Sequence, residues 1–311
     1  MKSNKQIIND VLLDAAAQDK NLVVLFSDSR GSASMNSFAE KFPAQVVEVG
    51  IAEQNLVSIA AGLASCGKKS FTVSPAAFLS ARSMEQVKVD VAYSGTNVKL
   101  IGISGGISYG GIGATHHATN DIVAMASIHG LRVYFPSDNF LTANLIRALI
   151  DDNLPAYVRV GRNPVKDIYR GDENFKLDKA MAVRDGDDVT IIACGELVQN
   201  AVAAAEILRG KNISARVIDM YCLKPLDAEI VIKAARETKK IITVEEHSPF
   251  GGLGSMVAQV TAANYPVKVL NLSLPDAPVI PGEPDEVFKY YGIDAAGIAD
   301  SVEKLLGVDL L

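Results

Sequence analysis

Tryptophan is absent from this chain and cysteine is scarce. Cys66, Cys194 and Cys222 are the only cysteines in 311 residues, and no two stand in Cys-x-x-Cys spacing. That argues against a disulfide scaffold or a zinc site and fits a reducing cytoplasm. An excess of positive charge is also missing. Thirty Lys and Arg face 36 Asp and Glu, for a net charge of −6, so no basic footprint for nucleic acid is expected. A local phosphate site stays open. No apolar run is long enough to span a membrane. A long uncharged stretch, Leu100 to Asn120, holds six glycines and two histidines and reads as strand plus loop. The opening MKSNKQIINDVLL is interrupted by Asn9 and Asp10, so no signal peptide is expected. What remains is a globular composition, 49% hydrophobic and 21% charged, with length for about two domains.

Short apolar runs alternate with helical patterns. Candidate strands are LVVLFS (22–27), QVVEVG (45–50), SFTVS (70–74), VKLIGIS (98–104), LRVYF (131–135) and AYVRV (156–160). Their Val, Ile and Phe content suits buried parallel strands. Between them, Leu56, Ile59, Ala60 and Leu63 share one helix face, with Gly67 as the stop. Met84, Val87 and Val91 form a second stripe, and Leu141, Leu145, Ala148 and Leu149 a third. The alternation predicts a parallel sheet covered on both faces. Residues 161–187 are polar and turn-rich and read as a connection. The pattern then restarts with DVTIIAC (188–194), ISARVIDM (213–220), KIITVEE (240–246) and VKVLNLSL (267–274), with helices at 196–209, 227–237, 254–264 and 294–306. The expectation is two consecutive parallel-sheet α/β domains, 1–165 and 188–311, joined by a linker at 166–187.

Ligands of open parallel sheets gather beyond the carboxyl ends of the strands. Three segments fall there: GIAEQN (50–55), FLSAR (78–82) and GGISYGGIGATHH (105–117). Glu53 stands in the first turn of a helix. It is either a carboxylate favoured by the helix dipole or a partly buried acid that shares a proton with a ligand. Phe78 and Arg82 are four apart and so share a helix face. Phe78 can be plain core, or the pair can hold a flat heterocycle between an aromatic plane and a cation. The glycine-rich loop matches neither Gly-x-Gly-x-x-Gly nor a P-loop. His116 and His117 are neighbours and point different ways on any regular element, and no third ligand completes a metal set. Glu245, Glu246 and His247 read first as a solvated strand-end turn. Arg159 and Arg162 read equally as a phosphate contact or a solvated edge.

The order VVEVGIAEQNL, TVSPAAFLSARSMEQVKVDVAYS, GATHHATNDIVAM, PAYVRVGR resembles the pyrimidine-binding domain of transketolases. VIDMYCLKPLD and ITVEEHSPFGGLGS resemble the C-terminal domain of the same family. The family holds magnesium and diphosphate with a GDG motif and a later asparagine on another domain, and this chain has no GDG. Full-length transketolases are also roughly twice as long. The chain therefore resembles the C-terminal half of a split transketolase. The beta subunit of the 2-oxo-acid dehydrogenase decarboxylase component has similar size, but its usual GAQHSQ-type loop is not what stands here.

The resemblance implies thiamine diphosphate as cofactor. Glu53 would bond the aminopyrimidine N1′, Phe78 would stack on that ring with Arg82 beside it, and Asp28 would stand near the cofactor. His116 would contact the donor sugar, and Arg162 a sugar phosphate. Glu53 and His116 are thus the implied catalytic residues. Mg2+ ligands are expected on the partner, an N-terminal subunit carrying GDG…N, in a cytoplasmic heterotetramer with two copies of each chain. Where many relatives read GEDGPTH, Ile112 replaces the aspartate that contacts a donor hydroxyl, and Ser104 stands where many have a histidine. The expected reaction is transfer of a two-carbon ketol unit from a ketose phosphate, a branched ulose phosphate among the candidates, to an aldehyde acceptor. The rivals are a deoxyxylulose-phosphate-synthase-like carboligase and a non-catalytic assembly subunit.

Overall fold

Twelve strands form two sheets in the computed structural model, which describes residues 1–307. In the first half of the chain, β1 (Leu22–Phe26), β2 (Val46–Glu48), β3 (Lys69–Pro75), β4 (Val98–Ile103), β5 (Arg132–Tyr134) and β6 (Ala156–Arg159) are all parallel. Strands β1, β3, β4 and β6 sit inside the sheet. They are buried along nearly their whole length, which is why their sequences are continuous apolar runs.

The second half contributes β7 (Met181–Arg184), β8 (Val189–Ala193), β9 (Ala215–Asp219), β10 (Cys222–Lys224), β11 (Lys240–Val244) and β12 (Lys268–Leu272). The sheets run β10-β5-β6-β4-β3-β1-β2 and β12-β11-β8-β9-β7. Both are mainly parallel, and each has one antiparallel edge, β10 against β5 and β7 against β9.

Those edges are where the periodicity misled. Met181–Arg184 lies inside the stretch expected as a connection, 166–187, yet it pairs with β9 through Met181 and Asp219. It is only partly buried, so it lacks the continuous apolar run of an inner strand. Cys222–Lys224 follows the second-half strand 213–220 but crosses to the first sheet, where Cys222 pairs with Tyr134. The helix expected around Met84, Val87 and Val91 is also broken. It runs as Ala76–Arg82, Met84–Gln86 and a wider turn Val87–Tyr93. Val87 and Val91 are buried but Met84 is exposed.

The two halves share a core. Val133 and Phe135 belong to the same buried cluster as Ile218, Met220 and Leu223. Burial of this kind contributes about 25 cal/mol per Å2 of apolar surface, so the halves hold each other in register. Among the described residues no helix is long and apolar enough to cross a membrane.

Candidate active site

The carboxyl ends of β2, β3 and β4 bring the expected residues to one place. Glu53 is the first residue of the helix Glu53–Ser65, directly after the β2 loop. In that first turn the helix dipole favours a negative charge. It is 4% exposed. Arg82 ends the helix Ala76–Arg82 and donates through Nη1 to both carboxylate oxygens, at 3.2 and 3.1 Å. The same guanidinium lies 4.0 Å from the Phe78 ring centre. The one-face placement of Phe78 and Arg82 follows from their spacing, whereas Glu53 reaches them only through the fold. An open pocket of about 640 Å3 is lined by Ile51, Glu53, Asn55, Ser58, Arg82 and Gln86.

The glycine-rich loop closes the other side. His116 stands edge-on to Phe78 with ring centres 5.0 Å apart, and edge-on to Tyr109 at the same separation. Its Nδ1 is 2.9 Å from Thr115 Oγ1. Arg162 places its guanidinium 5.5 Å from the Tyr109 ring. Phe78, His116, Tyr109 and Arg162 therefore form a continuous wall of three rings and a cation. Tyr109 escaped the sequence reading. Its one signal was an aromatic ring among glycines, in a loop otherwise poor in large side chains. Ile112, in the short turn Gly110–Thr115, is 54% exposed. An apolar side chain there is free to meet a ligand or another chain.

His117 points inward, although its adjacency to His116 implied only that the two rings differ in direction. It is 9% exposed with Nε2 3.2 Å from the Gly110 carbonyl. Burial lowers its pKa, against the pull of the hydrogen bond to the Gly110 carbonyl. Asp28 follows the end of β1 with φ 57°. Its N–H donates to Glu48 Oε1 at 2.8 Å, and Gly50 N–H donates to the same oxygen at 3.2 Å. The β1 and β2 loops are thus tied together. Among the described residues no cluster of three or more His, Cys, Asp or Glu could hold a metal ion.

Behind this wall lies an ion-pair group that spacing did not disclose. Arg159 is neither a phosphate contact nor a solvated edge. It is buried, with Nη1 3.0 Å from Asp121 Oδ1 and Nη2 2.5 Å from Glu246 Oε2. Tyr157 donates to the other Asp121 oxygen at 2.8 Å. The strand-end turn at 245–247 is not solvated either. Glu245 and His247 are fully buried. Glu245 accepts from Leu253 N–H at 2.6 Å and Gly254 N–H at 2.9 Å, the start of the helix Leu253–Asn264. Burial raises its pKa, and those helix N–H groups pull it back. Glu196 has its pKa raised to about 8 by burial.

Residues 1–166 match the family model for the transketolase pyrimidine binding domain, and residues 178–298 that for the transketolase C-terminal domain. Among curated proteins, the chain is 50% identical over 295 residues to an apulose-4-phosphate transketolase subunit of Phocaeicola vulgatus, covering 94% of each. It is 38% identical over 304 residues to a putative transketolase C-terminal section of Methanocaldococcus jannaschii, covering 97% of this chain and 95% of that one. Among solved structures, a split gene transketolase described as an inactive beta4 tetramer superposes with a TM-score of 0.91 at 32% identity, covering both chains fully.

Proposed function

The chain belongs to the transketolase family as the C-terminal subunit of a split enzyme, and we propose that the Glu53–Arg82–Phe78–His116 group is its share of the active site. With a separate partner subunit it is a transferase that moves a two-carbon ketol unit from a ketose phosphate to an aldehyde acceptor. The family depends on thiamine diphosphate, which supplies carbanion chemistry when bound.

The residues fit that group. Glu53 is a carboxylate shielded from water whose hydrogen-bond partner is the half-exposed Arg82. Phe78 offers a half-buried aromatic face next to it. Glu53 would hold the hydrogen bond at N1′ of the aminopyrimidine, and Phe78 would orient the ring by stacking. His116 and Arg162, on the exposed side of the wall, would meet the donor's hydroxyls and its phosphate. The observation that carries this reading is the pairing of a buried acid with an adjacent aromatic face at the carboxyl end of the sheet. The same pairing speaks against a non-catalytic assembly subunit.

The finer assignments belong to the same proposal. The diphosphate and Mg2+ sit on the partner, which carries GDG…N, and the assembly holds two copies of each chain in the cytoplasm. Asp28, just after β1, would stand near the cofactor. Calorimetry tests the division of labour. The isolated chain should bind thiamine diphosphate poorly, and addition of the partner with Mg2+ should create a tight site. The inactivity of the split-gene relative as a beta4 tetramer supports this. Tight, magnesium-dependent binding by the isolated chain would overturn it.

Apulose 4-phosphate is the donor we propose, from the 50% identical relative, and Ile112 is the residue that reads it. An isoleucine offers packing but no hydrogen bond. A donor hydroxyl left without a partner there costs about 1–3 kcal/mol, or about 5–150-fold in preference. Ile112→Asp should therefore raise kcat/KM for a common pentulose phosphate relative to apulose 4-phosphate by a factor in that range. The ratio of the two kcat/KM values in wild type and variant is the measurement. An unchanged ratio in a folded variant would show that residue 112 does not read the donor.

A further inference from the structure

The loop that carries Tyr109, Ile112 and His116 begins at Gly105 and closes where Ala118 N–H donates to the Gly106 carbonyl at 2.7 Å. Its base is held by the second half of the chain. Glu246, just after β11, accepts from the Ile107 N–H at 2.7 Å. Its other oxygen pairs with Arg159, and its backbone carbonyl accepts from both terminal nitrogens of that arginine at 3.2 Å. Two residues further, Ser248 N–H donates to the Thr119 carbonyl at 2.8 Å.

The glycines at the loop's entry mark the same contact. Gly106 has φ +59°, and a Cβ there would fall 1.9 Å from Glu246 Cδ. A Cβ on Gly105 would fall 2.3 Å from Arg159 Nε. These two glycines are the space through which Arg159 and Glu246 pass. Ile107 is fully buried, so its N–H has no ready replacement partner in water. A charged acceptor makes this a strong bond, and its loss leaves a buried donor unsatisfied.

We infer that Glu246 is a positioning residue: it sets where the Gly105–Ala118 loop stands at the ends of β4 and β6, and through it where His116 and Ile112 meet the donor. This rests on the proposed donor role of that loop. Glu246 touches neither donor nor cofactor in this scheme. Its effect travels through Ile107 N–H and through Arg159, both within hydrogen-bond reach.

Three variants in the complex with the partner subunit test it. Glu246→Ala removes the acceptor and the charge. Glu246→Gln keeps an acceptor for Ile107 N–H and loses only the charge. Gly106→Ala presses on the same contact from the loop side. For Glu246→Ala, kcat/KM for the ketose phosphate should fall by about 100-fold, the scale of a misplacement near 1 Å, chiefly through donor KM, with acceptor KM unchanged. Glu246→Gln should recover most of the loss, and Gly106→Ala should repeat it. Hydrogen exchange gives a readout independent of activity. Amides 107–118 should exchange faster in Glu246→Ala while those of β1 and β3 keep their wild-type rates. Wild-type donor KM and loop exchange in Glu246→Ala would overturn the inference. So would equal losses for donor and acceptor with faster exchange throughout, the signature of general destabilisation. If Glu246→Ala does not fold, the Gln and Gly106 variants decide on the same criteria. A wild-type complex that transfers no ketol unit would instead remove the proposed function, and the exchange arm would still decide whether Glu246 holds the loop.

Discussion

Glu53→Gln in the assembled enzyme is expected to lose about 10²–10⁴-fold in turnover, the usual cost of removing one proton-handling group, while its fold persists. Glutamine has the size and shape of glutamate, so the packing at the start of Glu53–Ser65 is kept. What changes is chemistry at one atom. A carboxylate can hold and exchange a proton at the aminopyrimidine N1′, and an amide cannot. The structural cost is small. The partner of Glu53 is Arg82, half-exposed at 49%, and an ion pair with one member that wet contributes about 1 kcal/mol or less. Steady-state kcat, read beside a thermal melt, separates the two effects. Turnover within threefold of wild type in a well-folded variant would remove Glu53 from the cofactor site.

Arg159→Ala should do the opposite, costing stability before it costs chemistry. The side chain is 6% exposed and lies between Asp121, which is fully buried, and Glu246. It also packs over the Phe135 ring at 4.5 Å. Desolvation alone would weaken its proton affinity, but the surrounding carboxylates outweigh that, and its pKa is raised. Removing it leaves two carboxylates without their counter-charge in a poorly hydrated place. Breaking a buried pair from one side typically costs about 3–5 kcal/mol. Urea denaturation should show a loss of that size, against about 1 kcal/mol or less for Arg82→Ala. Comparable small losses for both arginines would mean that water reaches Asp121 in the variant and that the group does not lock the two halves together.

The contrast between these arginines shows how far sequence reading carries at this site. Arg82 falls on the face of Phe78 because four residues on a helix make about one turn, and the structure places it there. Arg159 and Arg162, three apart at a strand end, give no means of choosing. The fold sends Arg159 into the interior to meet Asp121 and Glu246, 38 and 87 residues away in the chain, and leaves Arg162 outside against Tyr109. Glu246 reads as a solvated charge for the same reason. A glutamate at a strand end carries no mark of burial until its distant partner is known.

By itself the sequence determined the layered α/β architecture, the inner strands β1, β3, β4 and β6, and the shared face of Phe78 and Arg82. Each follows from a local rule. A strand covered on both faces must be apolar throughout, and helix and strand periods decide which neighbours share a side. Only the tertiary structure decided that β10 leaves its own half to edge the first sheet, that Met181–Arg184 is a strand, that Glu53 meets Arg82, and that Glu246 grips the loop at Ile107. Edge strands are half wet and need no continuous apolar run. Buried charges are set by a balance of desolvation against partners far away in the chain, and no local spacing records that balance.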